Sequence, residues 1–169
     1  SEWTWIFRLK TPSSIATGTK TYISKWNNTP PKVGYYHGEW NNSGSQRFRM
    51  QMAGGGNYTM AYGNTQLAIN TKYTVEMHNT LGETNGTGWE IYVGVDDATP
   101  AAETMATAGD PMTGGGDNDE DVTIFSRGVG TTGYRPDHDF ACIGFFNVNM
   151  LDNLSDLNNV RTYISDNYP

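Results

Sequence analysis

Bulky apolar residues alternate with smaller or polar ones along most of the chain, the pattern of strands that bury one face. In the first run Trp3, Trp5, Phe7 and Leu9 form the bulky set, with Thr4, Ile6, Arg8 and Lys10 on the other side. Pro12 and Ser13 end that run. Similar alternation predicts strands over 19–26, 33–37, 47–52 and 57–62, broken by Asn27-Asn28-Thr29-Pro30-Pro31 and by Gly54-Gly55-Gly56. In the middle, Tyr73, Val75 and Met77 share one face of a strand over 72–78, and Trp89, Ile91, Val93 and Val95 one face of a strand over 88–95. The 81–86 segment between them reads as a hairpin loop. Residues 96–121, rich in Ala, Thr, Gly and Asp, read as a long irregular connection, uncommon in a compact domain unless functional or mobile. Strands resume over 122–127 and 140–150.

The tail has a different period. Leu154, Leu157, Val160, Tyr163 and Ile164 recur at helical spacing, which predicts an amphipathic helix over 155–166 with Ser155 or Asn153 as its N-cap. It is expected to lie against the sheets and hide one end of them. Many short strands joined by Gly, Asn and Pro turns, followed by one helix, predict an all-β, two-sheet antiparallel sandwich. The 169 residues suit a single domain over 1–169.

Composition narrows the partners. The net charge is −7, with 11 Lys and Arg against 18 Asp and Glu, which argues against a nucleic-acid backbone or an anionic membrane surface. No apolar run is long enough for a membrane-spanning helix, so no membrane insertion is expected. The strand pattern starts at once, with no basic and apolar leader; either a signal has been removed or this is a segment of a longer product. Cys142 is the only cysteine, which excludes an intramolecular disulfide and, in an apolar strand, reads as a buried inert thiol. Five Asn-x-Ser/Thr sequons start at Asn27, Asn41, Asn57, Asn85 and Asn153, but a chain this rich in Asn, Thr and Ser makes them by chance. Low charge with abundant Gly, Asn and Thr fits an extracellular or virion-surface protein.

Three stretches in order resemble the laminin-G-like and legume-lectin-like jelly rolls of the concanavalin A-like superfamily. They are Trp3-Thr4-Trp5-Ile6-Phe7-Arg8-Leu9 with Tyr22-Ile23-Ser24-Lys25-Trp26, then Tyr73-Thr74-Val75-Glu76-Met77 with Trp89-Glu90-Ile91-Tyr92-Val93, and Ile143-Gly144-Phe145-Phe146-Asn147-Val148 before Leu154-Ser155. The resemblance implies a jelly-roll sandwich and says nothing specific about function. It departs where that family often has Tyr-Val-Asp-Gly, since Tyr92-Val93-Gly94-Val95-Asp96 stands here. The turn there, and any cation site beside it, is therefore in question.

Two groups of residues are candidates for ligand contact. With the apolar sets pointing inward, Arg47, Arg49, Gln51, Glu76, His78, Glu90 and Tyr92 point outward, and would form one polar patch if their strands share a sheet. Planar guanidinium and carboxylate groups make paired hydrogen bonds to sugar hydroxyls or uronate carboxylates. The bland alternative is that outward strand residues are polar because water lies there. The second group is a loop region around Trp26, Tyr35, Tyr36, His37 and Trp40, with Asn41 and Asn42, whose rings would stack on sugars or else close the core or a subunit interface. Tyr134, Arg135 and His138 form a lesser group of the same kind.

The acidic stretch Asp117-Asn118-Asp119-Glu120-Asp121 offers Asp117, Asp119 and Asp121 as calcium ligands, with Asp96 and Asp97 as further members, but it lacks the EF-hand pattern and reads better as a solvated loop. No cofactor is expected, calcium being the open alternative. His37, His78 and His138 show no metal spacing, and no nucleophile elbow, phosphate loop or dinucleotide fingerprint is present. Superfamily glucanases place Glu-x-Asp-x-x-Glu on one strand, a spacing absent here. A jelly-roll lyase would use Arg47, Gln51, His78 and Tyr92, residues of the right types in unmatched surroundings. The expected function is therefore a non-catalytic glycan- or partner-binding module for adhesion, attachment or decoration. A small polysaccharide lyase or hydrolase and a purely structural assembly subunit, with an oligomer or larger assembly in view, are the alternatives.

Overall fold

The computed structural model describes residues 2–27, 33–54, 57–80, 88–109, 122–125 and 136–169. Their strands are β1 (Trp3–Lys10), β2 (Lys20–Asn27), β3 (Val33–Asn42), β4 (Ser45–Gly54), β5 (Asn57–Gln66), β6 (Lys72–Asn79), β7 (Trp89–Val95), β8 (Ala101–Ala102), β9 (Ala106–Gly109), β10 (Thr123–Ile124) and β11 (Asp139–Phe146). A short 3-10 turn (Met150–Asp152) leads into helix α1 (Leu154–Asn167). The strands make two antiparallel sheets, one in the order β11-β1-β6-β7-β8 and one in the order β10-β2-β3-β4-β5-β9. The all-β sandwich with one C-terminal helix is what the alternation predicts.

The facing sides of the sheets supply the main core. Trp5, Phe7 and Leu9 of β1 and Tyr73, Val75 and Met77 of β6 meet Tyr22 and Ile23 of β2, Phe48 and Met50 of β4 and Ala61 of β5. Trp89, Ile91 and Val93 of β7 complete it, so the inward residues of β1, β6 and β7 are those the period of two selects.

Three differences from the sequence reading bear on the placement of the candidate residues. The strand expected to stop at 37 runs to Asn42 and turns directly into β4. The turn is a two-residue hairpin at Ser43 and Gly44, whose positive φ values of 53° and 89° suit a turn that matches the right-handed twist of the strands. Gly44 N–H donates to Asn41 Oδ1 at 3.1 Å. The connection expected to be irregular from 96 contains two short edge strands, β8 and β9. The predicted loop at 81–86 and the remainder of that connection, 110–121, lie outside the described residues.

The third difference is the seat of the helix. Its span and its Asn153 cap agree with the sequence; Asn153 Oδ1 accepts from Asp156 N–H at 3.3 Å. It does not close one end of the sandwich. Leu157 and Ile164 pack with Met150 on Ile6, an outward residue of β1, so the helix covers the outer side of the five-stranded sheet. The cause is visible in β1 itself, where Ile6 gives the outer side an apolar foothold and both sides of the strand are buried.

Candidate functional site

Outward residues of β2, β3, β4 and β5 form one continuous surface of the six-stranded sheet. Register places Gln51 opposite Tyr36 and Arg47 opposite Trp40, with Arg49 opposite Tyr62 on the next strand. Trp26 meets Tyr36 edge to face, with ring centres 4.8 Å apart. The Arg49 guanidinium lies over the Tyr36 ring at 4.4 Å, a cation–π geometry, and donates to Gln51 Oε1 at 3.1 Å. Trp26, Tyr36, Arg49 and Gln51 are buried. Beside them the Trp40 and Tyr62 rings meet edge on at 5.2 Å. Both rings and Arg47 are part-exposed, and Arg47 Nη1 approaches the Gly63 carbonyl at 3.5 Å.

The expected aromatic group thus lies on strands, not in a loop, and alternation divides it. Tyr35 and His37 point inward, where His37 stacks on Tyr35 with ring centres 5.3 Å apart and touches Trp3 at 4.9 Å. Both nitrogens of the fully buried His37 ring lack a hydrogen-bond partner among the described residues. Burial, and then the Arg49 charge, lower its pKa to about 3, so the ring is neutral.

The single polar patch does not form either. Arg47, Arg49 and Gln51 belong to the six-stranded sheet, whereas Glu76, His78, Glu90 and Tyr92 sit on β6 and β7 of the other sheet and point the opposite way. There the helix covers them in part. Arg161 of α1 donates from Nε and Nη2 to the two Glu76 carboxylate oxygens, each at 2.7 Å. Glu76 and His78 are fully buried, with His78 Nε2 3.4 Å from Glu76 Oε2 and Nδ1 2.9 Å from Thr4 Oγ1. Thr4 Oγ1 also donates to the Val148 carbonyl and accepts from Met150 N–H. Burial pushes the Glu76 carboxyl up, but hydrogen bonds from Arg161 and His78 outweigh it and hold the group below its ordinary pKa. The network fastens the C-terminal segment to the sheet.

Tyr92 donates to Glu90 Oε2 at 3.1 Å, and both are part-exposed. Burial and the Glu90 carboxylate raise the Tyr92 pKa, which disfavours the phenolate a lyase base would require. His78 and Tyr92 are separated from Arg47 and Gln51 by the thickness of the sandwich, roughly 10 Å between sheets before side chains are counted. The four groups of the lyase alternative are therefore not assembled around one substrate position.

A cluster that sequence reasoning missed lies between the sheets. Glu39, an inward residue of β3, is fully buried; its Oε1 accepts from Tyr22 OH and contacts His138 Nε2. Burial, then Glu39, push the Tyr22 phenol well above its ordinary pKa. Glu39 carried no signal because Gly38-Glu39-Trp40-Asn41 looks like a turn when read without its partner strand. Tyr134 and Arg135, which were grouped with His138, lie outside the described residues, as do Asp117, Asp119 and Asp121. Asp97 pairs with Arg8 at 2.5 Å. Among the described residues no three His, Cys, Asp or Glu side chains are placed to hold a metal ion, and no helix is long and apolar enough to cross a membrane.

Comparison of the sequence with protein-family models and with curated proteins finds no match. The functional reading rests on the geometry alone.

Proposed function

We propose that the protein is a non-catalytic glycan-binding module of a secreted or virion-surface protein, serving attachment or decoration. Its contact strip is Trp40, Tyr62 and Arg47 on the six-stranded sheet, flanked by Trp26, Tyr36, Arg49 and Gln51. The observation that carries this reading is the part-exposed Trp40–Tyr62 ring pair with the Arg47 guanidinium on the neighbouring strand. Aromatic faces stack on the C–H surfaces of pyranose rings, and a guanidinium fork bonds vicinal hydroxyls or a uronate carboxylate. The edge-on packing of the Trp40 and Tyr62 rings holds them in place before a ligand arrives, which lowers the ordering cost of binding. The jelly-roll resemblance of the sequence is compatible with this role.

The test is retention on a panel of immobilised glycans, run beside absorbance from unsaturated product when the protein meets alginate and other polyuronates. The proposal expects retention on at least one glycan and flat absorbance. Rising absorbance would replace it with a lyase.

A second reading, a structural assembly subunit, is favoured by apolar groups left uncovered near the helix. Val148, Leu154 and Tyr163 are each more than half exposed. An open apolar groove of about 420 Å³ lies between α1 and β11, lined in part by Ile6, Ile143, Phe146 and Val160. Mass in solution separates the two readings, since a monomer without self-association speaks against assembly through this groove.

A further inference from the structure

The turn where the sequence departs from Tyr-Val-Asp-Gly builds a small polar cleft against the helix. Gly94 lets the following loop fold back onto β7, because a Cβ there would run into the Ala98 carbonyl. Asp96 takes a left-handed backbone with φ 53°, its N–H donates to the Lys72 carbonyl at 2.8 Å, and Ala98 N–H closes the turn onto the Val95 carbonyl at 3.1 Å. The cleft between this turn and α1 has a volume of about 140 Å³, and Arg8, Thr74, Asp97, Thr99, Arg161 and Thr162 line it. Two arginines and three threonines therefore line one recess, where Arg8 donates to the Thr74 hydroxyl.

Arg8 is the anchor. Its side chain is only 5% exposed, and a guanidinium keeps its charge at any depth. Nε donates to the Tyr168 carbonyl at 3.2 Å, and Nη1 to Thr74 Oγ1 at 2.9 Å and to the Asp96 carbonyl at 3.1 Å. Among the described residues only Nη2 meets a negative charge, on Asp97 Oδ1 at 2.5 Å. Asp97 is 67% exposed. The charge that neutralises a buried arginine thus comes from a largely exposed carboxylate standing at the mouth of the cleft.

The donors left over define what would replace it. Among the described residues one Nη2 hydrogen of Arg8 is unused. Arg161 spends Nε and one Nη2 hydrogen on Glu76 and one Nη1 hydrogen on Asn158, leaving one hydrogen on each terminal nitrogen without a partner among the described residues. Two guanidinium-bearing residues and several threonines lining one recess suit a compact group with several acceptor oxygens.

We infer that this cleft binds a single oxyanion group, a carboxylate, phosphate or sulfate, which takes the Asp97 carboxylate's place on Arg8. The site lies on the five-stranded sheet and does not depend on the glycan-contact strip of the other sheet. No covalent step is involved; one anion exchanges for another on the same guanidinium.

The experiment is thermal unfolding of the wild type and of Asp97→Ala in sodium chloride, and in sodium phosphate, sulfate or glucuronate at matched ionic strength. Asp97→Ala is expected to melt several degrees below wild type in chloride, because Arg8 loses its counter-charge. At least one oxyanion restores most of that loss with a saturating concentration dependence, and moves the wild type much less. A response to phosphate and sulfate marks a free or phosphorylated ligand, and one to glucuronate alone marks a sugar carboxylate. Adding Thr162→Val to Asp97→Ala weakens the rescue without altering the melting point in chloride. Equal oxyanion shifts in wild type and Asp97→Ala, or an Asp97→Ala protein as stable as wild type in chloride, would overturn the inference.

Discussion

His37 must remain neutral as long as the fold holds, since neither ring nitrogen has a partner among the described residues and the side chain is fully buried. Its pKa in the fold is about 3, against roughly 6.5 for an unfolded histidine. The stability tied to the neutral ring is therefore complete above about pH 6.5 and is lost as pH falls toward the folded value, by up to about 1.4 kcal/mol per pH unit. Urea unfolding at pH 7, 6 and 5 should show the wild type losing roughly 2 kcal/mol more than His37→Phe over that range. Parallel slopes would mean that the ring is protonated in the fold. Glu39 is the companion case, and Glu39→Ala should cost about 3–5 kcal/mol by stripping a buried cluster of its carboxylate. A loss below about 1 kcal/mol would show that Tyr22 and His138 do not depend on it. Neither role was legible in sequence. Tyr35-Tyr36-His37 is aromatic on both faces, so period two does not say which ring points inward.

Among the elements, the helix was the most legible in position along the chain and the least legible in place. Its apolar spacing and Asn153 cap mark it out, but which side of the sandwich it covers depends on Ile6, an outward residue that looks ordinary until its partner is known. Leu157 is fully buried on that foothold, so Leu157→Ala should cost about 2–5 kcal/mol in denaturant unfolding. A value under roughly 0.5 kcal/mol would place the helix elsewhere. The Arg161–Glu76 pair adds a polar fastening with a defined pH dependence. Glu76 is held below its ordinary pKa, so the stability from that pair is complete above the ordinary carboxylate range and is lost as pH falls through the lowered value. Arg161→Met should be strongly destabilised at pH 7, with the gap to wild type narrowing at acid pH as Glu76 protonates. A gap that stays constant across that range would detach Arg161 from Glu76. The β3–β4 hairpin shows the converse difficulty. Asn42-Ser43-Gly44 holds a tight-turn signal, but the flanking residues Glu39 and Gln46 are buried polar groups that disguise the strands.

For the whole molecule, alternation established two sheets with polar outer sides but not which strands share a sheet. That depends on pairing across the chain: β6 beside β1, and β4 beside β3 and β5. The seven outward residues consequently fall on opposite sides, one partly sealed by α1 and the other carrying the Trp40–Tyr62–Arg47 strip. This division separates the lyase groups and puts the proposed contact strip on the six-stranded sheet alone. Arg8 and Asp97 lie with the first side, an arrangement the sequence did not disclose because 89 positions separate the two residues. The most direct measurement is glycan retention by wild type, Trp40→Ala, Arg47→Ala and Tyr92→Phe, each first shown to unfold at a comparable denaturant midpoint. The account predicts that Trp40→Ala and Arg47→Ala each lose at least about tenfold in affinity, the scale of one good stacking or charged contact, while Tyr92→Phe binds as wild type does. Undiminished retention by Trp40→Ala and Arg47→Ala, or loss confined to Tyr92→Phe, would contradict it.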